Sequence, residues 1–206
     1  MEDVLDLYHR PYDPLYPVVC MDESSQQLIG EVTAPIQMGP GHPQLIDHEY
    51  VRNGVAQIFI AVEALRGKRY VSITERRTAR DWAAFIEFLL VEKYPNAEKV
   101  RLVMDNLNTH TIASLYVAFE PQKARELARR LEIHYTPKHG SWLNIAEIEF
   151  SVLKSQCLDR RIPEINEMRA QAAAWEHDRN NRDAVVNWQF STETARTKLR
   201  RLYPQF

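Results

Sequence analysis

Two short apolar runs in this chain each break off at an aspartate. Val18-Val19-Cys20-Met21 is followed by Asp22-Glu23, and Val100-Arg101-Leu102-Val103-Met104 by Asp105-Asn106. Apolar runs of this length, closed by a turn former, read as buried strands. A strand apolar on both faces needs cover on both sides, which is the situation of a sheet inside an α/β layer structure. One such aspartate alone is an ordinary turn former or helix cap. Two of them on parallel neighbours would bring both carboxylates to one end of the sheet, where open α/β sheets bind ligands. There they repel, and a cation between them relieves the cost. Hard divalent ions such as Mg²⁺ take oxygen ligands of this kind.

The rest of the pattern agrees with such a sheet. Ile58-Phe59-Ile60-Ala61-Val62 reads as a strand, Arg66-Gly67-Lys68 as a turn and residues 69–74 as the returning strand of a hairpin. Residues 34–54 carry Pro35, Gly39, Pro40, Gly41, Pro43 and Gly54, which predicts a long loop. Thr78 is placed to cap a helix over 79–94, with Trp82, Phe85, Ile86 and Leu89 on one face. Helices are expected over 111–119 and 122–131, a short strand over 132–135, and a helix from a Ser141 cap to 159. Two more are expected from Pro163 to 178 and over 192–202. The first strand is expected to end at Asp22. This order predicts an α/β fold, one mixed sheet flanked by helices. Residues 1–16 are a lead-in, 17–162 the sheet domain and 163–206 a C-terminal helical extension.

A third acid should come from a helix near the two aspartates. The stretch 142–150 offers Glu147 and Glu149. At 100° per residue, Leu143, Ala146, Phe150, Leu153 and Cys157 form the core stripe, and the two glutamates flank it on opposite sides. Periodicity does not choose between them. Glu147 shares its side with Asn144, Ser151 and Lys154, a polar company, and Glu149 shares its side with Ile145 and Val152.

Bulk properties exclude several classes. A hydrophobic fraction of 45% and four Trp in 206 residues argue for a packed core and against disorder. The run 85–91 is broken by Glu87, so nothing is long enough to span a bilayer. The first six residues are acidic where a signal peptide is basic, so a cytoplasmic protein is expected. Cys20 and Cys157 lie in apolar patterns and are expected to be reduced core residues. The net charge of −2 does not announce a nucleic-acid binder. Basic residues are clustered instead: Arg66, Lys68, Arg69, Arg76, Arg77 and Arg80; then Arg125, Arg129 and Arg130; then Arg196, Lys198, Arg200 and Arg201. Each cluster reads either as a solvated helix face or as a phosphate-tracking surface. His134 and His139 have no Cys or acid at ligand spacing, which favours structural roles. No phosphate-binding Gly loop and no nucleophile elbow is present.

Three blocks together resemble a known family. They are Met21-Asp22-Glu23-Ser24; Val103-Met104-Asp105-Asn106 with His110 five positions on; and, after Pro137, Leu143-Asn144-Ile145-Ala146-Glu147. In this order and setting they are similar to the blocks of DDE transposases, in particular bacterial insertion-sequence transposases of the Tc/mariner superfamily, insertion sequence 630-like. The resemblance covers about residues 17–205. Two departures are visible: Ile145 and Ser141 stand where the family often has Pro, and Asp105 and Glu147 stand 42 positions apart, longer than in mariner-like members.

The resemblance implies a ribonuclease-H-like five-stranded mixed sheet. It also implies that Asp22, Asp105 and Glu147 hold two Mg²⁺ or Mn²⁺ ions for DNA cleavage and strand transfer. It favours Glu147 over Glu149, because Glu147 stands three past Asn144. Asn106, His110, Asn144 and Lys154 are expected beside the ligands or on DNA phosphate. Transposon ends and target DNA are the implied partners, with a homo-oligomer to join two ends, in the cytoplasm at the nucleoid. Some sixteen residues precede the first strand, so a helix-turn-helix domain is expected on a separate polypeptide. A ribonuclease-H-like nuclease or resolvase without strand transfer, and an inactive DNA-binding remnant, are the alternatives.

Overall fold

A computed structural model describes residues 1–43, 45, 47–138 and 140–203. Five strands, β1 (Val18–Glu31), β2 (Tyr50–Glu63), β3 (Lys68–Thr74), β4 (Val100–Met104) and β5 (Leu131–Tyr135), form one sheet in the order β3-β2-β1-β4-β5. The long hairpin β1–β2 and its neighbour β3 are antiparallel. The pairs β1/β4 and β4/β5 are parallel, each reached through a crossover with helices. The mixed α/β sheet expected from the sequence is therefore present.

Strand alternation sorts the side chains into two cores. Val19 and Met21 of β1, with Phe59, Leu102 and Met104, face α2 (Ala79–Phe88), α3 (Ile112–Ala118) and α4 (Pro121–Arg129). Cys20, with Ile58, Ile60 and Val103, faces α1 (Glu2–Tyr8), α5 (Ile145–Leu153), α6 (Ile165–Asn181) and α7 (Thr192–Lys198). Thr78 caps α2 as expected, in a reciprocal box with Asp81. That box is worth about 1 kcal/mol. Burying Trp82, Phe85 and Ile86 is worth roughly 1.5–3 kcal/mol apiece. Packing, more than capping, fixes where α2 lies.

Several elements differ from expectation. β1 does not end at Asp22 but runs on to Glu31, because β2 hydrogen-bonds to it throughout. Its polar middle hides the strand signal, since Ser24 and Ser25 are exposed. Likewise β2 starts at Tyr50, inside the expected 34–54 loop. The register slips between Leu28 and Ile29, opposite Gly54, whose φ of 117° suits glycine. Residues 1–16 were expected as a lead-in, yet they contain α1, whose Val4, Leu5 and Leu7 are buried in the core. The helix over 79–94 ends as a π-helical turn, Leu89–Lys93; the one from 141 begins as a 3₁₀ turn, Ser141–Leu143, and ends as a π-helical turn, Lys154–Leu158.

The C-terminal helices complete the sheet. β3 is an edge strand, and α6 shields its backbone with side chains. Asn180 accepts from the Arg69 N–H at 2.8 Å and donates to the Arg69 carbonyl at 2.8 Å, as a strand neighbour would. Glu176 accepts from the Val71 N–H at 2.7 Å. The β2–β3 turn needs Gly67 twice over: its φ is 62°, and a Cβ there would come 2.6 Å from the Asp183 backbone.

Candidate active site

The parallel pairing of β1 and β4 sets the register of the two aspartates. Cys20 pairs with Val103, and Asp22 and Asp105 each stand two residues further on. With a side-chain period of two, Asp22 leaves the sheet on the side of Cys20, the side covered by α5, while Asp105 stands one residue past the end of β4. β4 stops at Met104, while β1 continues paired with β2. The chain after Asp105 therefore peels away from the sheet and opens a groove of about 440 Å³, lined by Asp105, Asn106, Leu107, Thr136, Pro137 and Lys138.

Asn144 ties the helix that carries Glu147 to β1. Its side chain accepts from the Ala146 N–H at 3.2 Å, capping α5, and donates to the Met21 carbonyl at 2.8 Å. One buried amide thus ties the start of α5 to the strand residue next to Asp22. Glu147 lies in that first helical turn, half-buried, and Ser151 donates to its carbonyl at 3.2 Å.

The electrostatics join the three carboxylates. Burial is the main cause that pushes the Asp22 carboxyl up to about 7. The Glu23 N–H, 2.8 Å from Asp22 Oδ1, pulls the other way; the charges of Asp105 and Glu147 then raise the value and His110 lowers it. Asp22 therefore sits within the field of both other acids. Among the described residues, no three His, Cys, Asp or Glu side chains are gathered closely enough to hold a metal ion as they stand. Coordination by the three acids requires the carboxylates to swing inward. Their chemistry fits a hard divalent cation: all donors are oxygens, and a cation would relieve the repulsion that burdens Asp22.

His110 is fully buried beneath this group. Its Nδ1 lies 2.6 Å from Asp105 Oδ1, and its Nε2 lies 3.3 Å from Glu23 Oε2. Burial lowers the affinity of the ring for a proton, but hydrogen bonds to Asp105 and Glu23, with their charges, outweigh it and push its pKa up to about 9. Trp82 stacks on the ring at 6.0 Å between centroids. Glu23 also meets Arg77 at 3.2 Å. Sequence reasoning missed Glu23 and Arg77. The alternation that puts Asp22 on the α5 side puts Glu23 on the α2 side, a signal available only once β1 is known to continue.

The two glutamates of α5 have different surroundings. Glu149 is buried and takes Arg69 through both oxygens, at 3.1 Å each, with Arg179 at 3.0 Å. It is occupied by these cations, and the Glu147 side chain has no such partner among the described residues. Asn106 and Lys154 are exposed, and neither side chain has a hydrogen bond or ion pair among the described residues. His134 lies elsewhere, paired with Asp3 at 2.7 Å and Glu132 at 3.1 Å, and His139 falls outside the described residues. Cys20 and Cys157 are buried and unbridged, and burial pushes the Cys20 thiol up to about 12.

The basic clusters divide. Arg69 is buried, Lys68 is paired with Asp183, and Arg130 caps the carbonyls of Tyr94, Pro95 and Ala97. Arg196 forks onto Glu2 with two contacts of 2.7 Å, so the acidic N-terminus clasps the basic C-terminal helix. Arg76, on the turn before α2, and Arg80, in the first turn of α2, are exposed on either side of Arg77. No helix among the described residues is long and apolar enough to cross a membrane.

Comparison with known proteins places this geometry. The family model described as DDE superfamily endonuclease matches residues 17–169. Among solved structures, the Mos1 transposase paired-end complex with left transposon end aligns at a TM-score of 0.59 and 17% identity, covering 89% of this chain and 55% of that one. The Mos1 mariner paired end complex with Mn aligns at 0.58 and 16% identity, with the same coverage. The chain thus spans little more than half the length of these structures, and the likeness shows a shared ribonuclease-H-like fold. No curated protein matches the chain.

Proposed function

The chain belongs to the DDE superfamily endonucleases, and on that premise we propose that it is the catalytic domain of a Tc/mariner-type transposase. It cuts DNA at the ends of an element and joins the freed 3′ ends to a target. One observation carries the reading. Asp22 and Asp105 leave neighbouring parallel strands two residues past the same ladder pair, and Glu147 lies in the helical turn that Asn144 ties to β1.

Asp22, Asp105 and Glu147 are the proposed ligands of two Mg²⁺ or Mn²⁺ ions, and such a pair supplies an activated attacking oxygen and a stabilised leaving oxygen at a phosphodiester. The Mn of the second Mos1 complex agrees in kind with an all-carboxylate donor set. The chain's own residues do the positioning, which is most of what phosphoryl transfer asks of a protein. His110 donates to Asp105 Oδ1 and leaves the other oxygen of that carboxylate to turn toward the groove. Asn144 holds the first turn of α5 against β1. Asn106 and Lys138 on the groove wall, and Lys154 two turns on from Glu147, meet DNA phosphates.

Transposon ends and target DNA are the proposed substrates, with a second copy of the chain to bring two ends together. End recognition by a helix-turn-helix polypeptide, an insertion sequence 630-like origin and a site of action at the bacterial nucleoid belong to the same proposal. A DNA nicking assay with Mg²⁺, followed by strand transfer from a pre-cut 3′-hydroxyl end, tests it. Wild type is expected to do both, and Asp105→Asn neither. Nicking without joining would reduce the reading to a nuclease. Unimpaired nicking by Asp105→Asn would remove the site altogether.

A further inference from the structure

A chain of four ionisable groups runs from the surface to the groove. Arg77 Nη1 lies 3.2 Å from Glu23 Oε1; Glu23 Oε2 lies 3.3 Å from His110 Nε2; His110 Nδ1 lies 2.6 Å from Asp105 Oδ1. The Arg77 side chain is 50% exposed, that of Glu23 4% and that of His110 not at all. Nδ1 is hydrogen-bonded to Asp105, and Nε2 faces Glu23 at 3.3 Å without an aligned hydrogen bond, so one orientation of the imidazole turns both ring nitrogens toward carboxylates. The ring cannot leave it: Trp82 covers one face, and the His110 backbone is held by its N–H to the Leu107 carbonyl at 2.9 Å and by the Tyr135 hydroxyl on its own carbonyl at 3.0 Å.

We propose that Glu23 is a positioning residue for Asp105, acting through His110. The proposal rests on the reading of Asp105 as a metal ligand. A carboxylate at the frayed end of a strand has two free torsions and two equivalent oxygens. Asp105 lies one residue past the end of β4, with no strand pairing to orient it. The bond from His110 selects one oxygen and fixes the carboxylate plane. His110 can do this only while its far nitrogen is anchored, and Glu23 is the anchor. Glu23 in turn is held by Arg77, and by the strand position that puts it on the opposite sheet face from its neighbour Asp22. One Asp-Glu dipeptide thus serves the site from both faces of the sheet. Outer partners of metal-binding side chains commonly carry a 10–100-fold effect on metal affinity or activity.

Glu23→Gln keeps the size of the side chain and removes the anchor's charge. The variant is expected to fold, to show the His110 ring ¹⁵N and ¹H resonances displaced in the metal-free protein, and to bind Mn²⁺ about 10–100-fold more weakly by calorimetry. Its kcat on a pre-formed DNA end falls by a similar factor with KM unchanged. Glu23→Asp, which keeps the charge one methylene further back, falls between the two. Unmoved His110 resonances, unchanged Mn²⁺ affinity in a wild type that binds the ion, or a rise in KM alone would overturn the inference. A wild type that binds no Mn²⁺ would sink the metal-site reading instead, and displaced His110 resonances in Glu23→Gln would still uphold the link from Glu23 to the ring.

Discussion

Arg69 and Glu149 meet fork to fork, with Nε and Nη2 each 3.1 Å from one carboxylate oxygen, and neither side chain reaches solvent. Arg69 also donates to the carbonyls of Gly67 and Ala184, and Arg179 closes on the same carboxylate. The group locks β3, α5 and α6 together two residues from Glu147. Removing one partner of such a pair strands a buried charge, which costs about 3–5 kcal/mol, whereas the pair as a whole adds little over an apolar replacement. Glu149→Ala is therefore expected to unfold at markedly lower urea. Glu147→Gln should unfold at or slightly above the wild-type midpoint, and lose nicking. Urea midpoints and a nicking assay on both variants check this; the opposite ordering of stability would exchange the roles of the two glutamates.

The burden on Asp22 gives a dependence on pH with a definite sign. Its folded-state value of about 7 lies above the ordinary 3.8. Folding stability from this group is fully present below the lower value and is lost as pH rises through the window between 3.8 and about 7, because the unfolded chain ionises first. Thermal unfolding of wild type against Asp22→Asn, without divalent ions, should show wild type losing ground across that window. Mg²⁺ or Mn²⁺ at neutral pH should restore wild type and leave Asp22→Asn unmoved, since an ion that binds only the folded chain stabilises it by mass action. A kcal/mol corresponds to about 2–4 °C for a domain of this size. Parallel pH curves for the two proteins would show that the carboxylate is not burdened.

How far the sequence disclosed this arrangement depends on what surrounds each residue. β4 is buried on both faces, so its apolar run and its end at Asp105 were plain. β1 is apolar only where both cores cover it; beyond Asp22 polar residues follow, Ser24 and Ser25 turn to solvent, and the strand is held by its ladder with β2, which leaves no mark in composition. The choice between Glu147 and Glu149 was open to periodicity because both flank the core stripe. The difference is a long-range one, Arg69 from β3 and Arg179 from α6, 80 and 30 positions away. α1 was hidden by the prolines and tyrosines that follow it, and its helix is stabilised by docking onto the core, for seven residues are too few to hold a helix alone.

Asn144 does two jobs with one amide, and its loss should show in two measurements. As a cap it is worth about 1 kcal/mol. Its Nδ2–H to the Met21 carbonyl is buried, and removing it leaves that acceptor unsatisfied at a further cost of about 1–3 kcal/mol. Asn144→Ala is expected to destabilise by the order of both together. Asn144→Asp keeps the cap and loses the donor. If the tie to β1 positions Glu147, Asn144→Asp should lose nicking by more than its stability loss explains, under conditions where it is fully folded. Full activity in Asn144→Asp would mean that the amide only caps.

The basic residues separate into those already engaged and those free for a polyanion. Arg196 is forked onto Glu2, so releasing it for DNA would cost the clasp between α1 and α7. Arg76 on the turn before α2 and Arg80 in the first turn of α2 are exposed on either side of Arg77, which reaches Glu23. Each Lys or Arg that neutralises a phosphate steepens the salt dependence of binding by about one unit of log–log slope. Arg76→Ala and Arg80→Ala are each expected to lower DNA affinity and to flatten that slope by about one, with no change in thermal stability. Arg196→Ala is expected to leave the slope alone and lower the melting temperature slightly. Anisotropy titrations of a labelled duplex across a range of NaCl concentrations read both. A flattened slope in Arg196→Ala, with Arg76→Ala and Arg80→Ala indistinguishable from wild type, would move the DNA path from the start of α2 to the clasped ends of the chain.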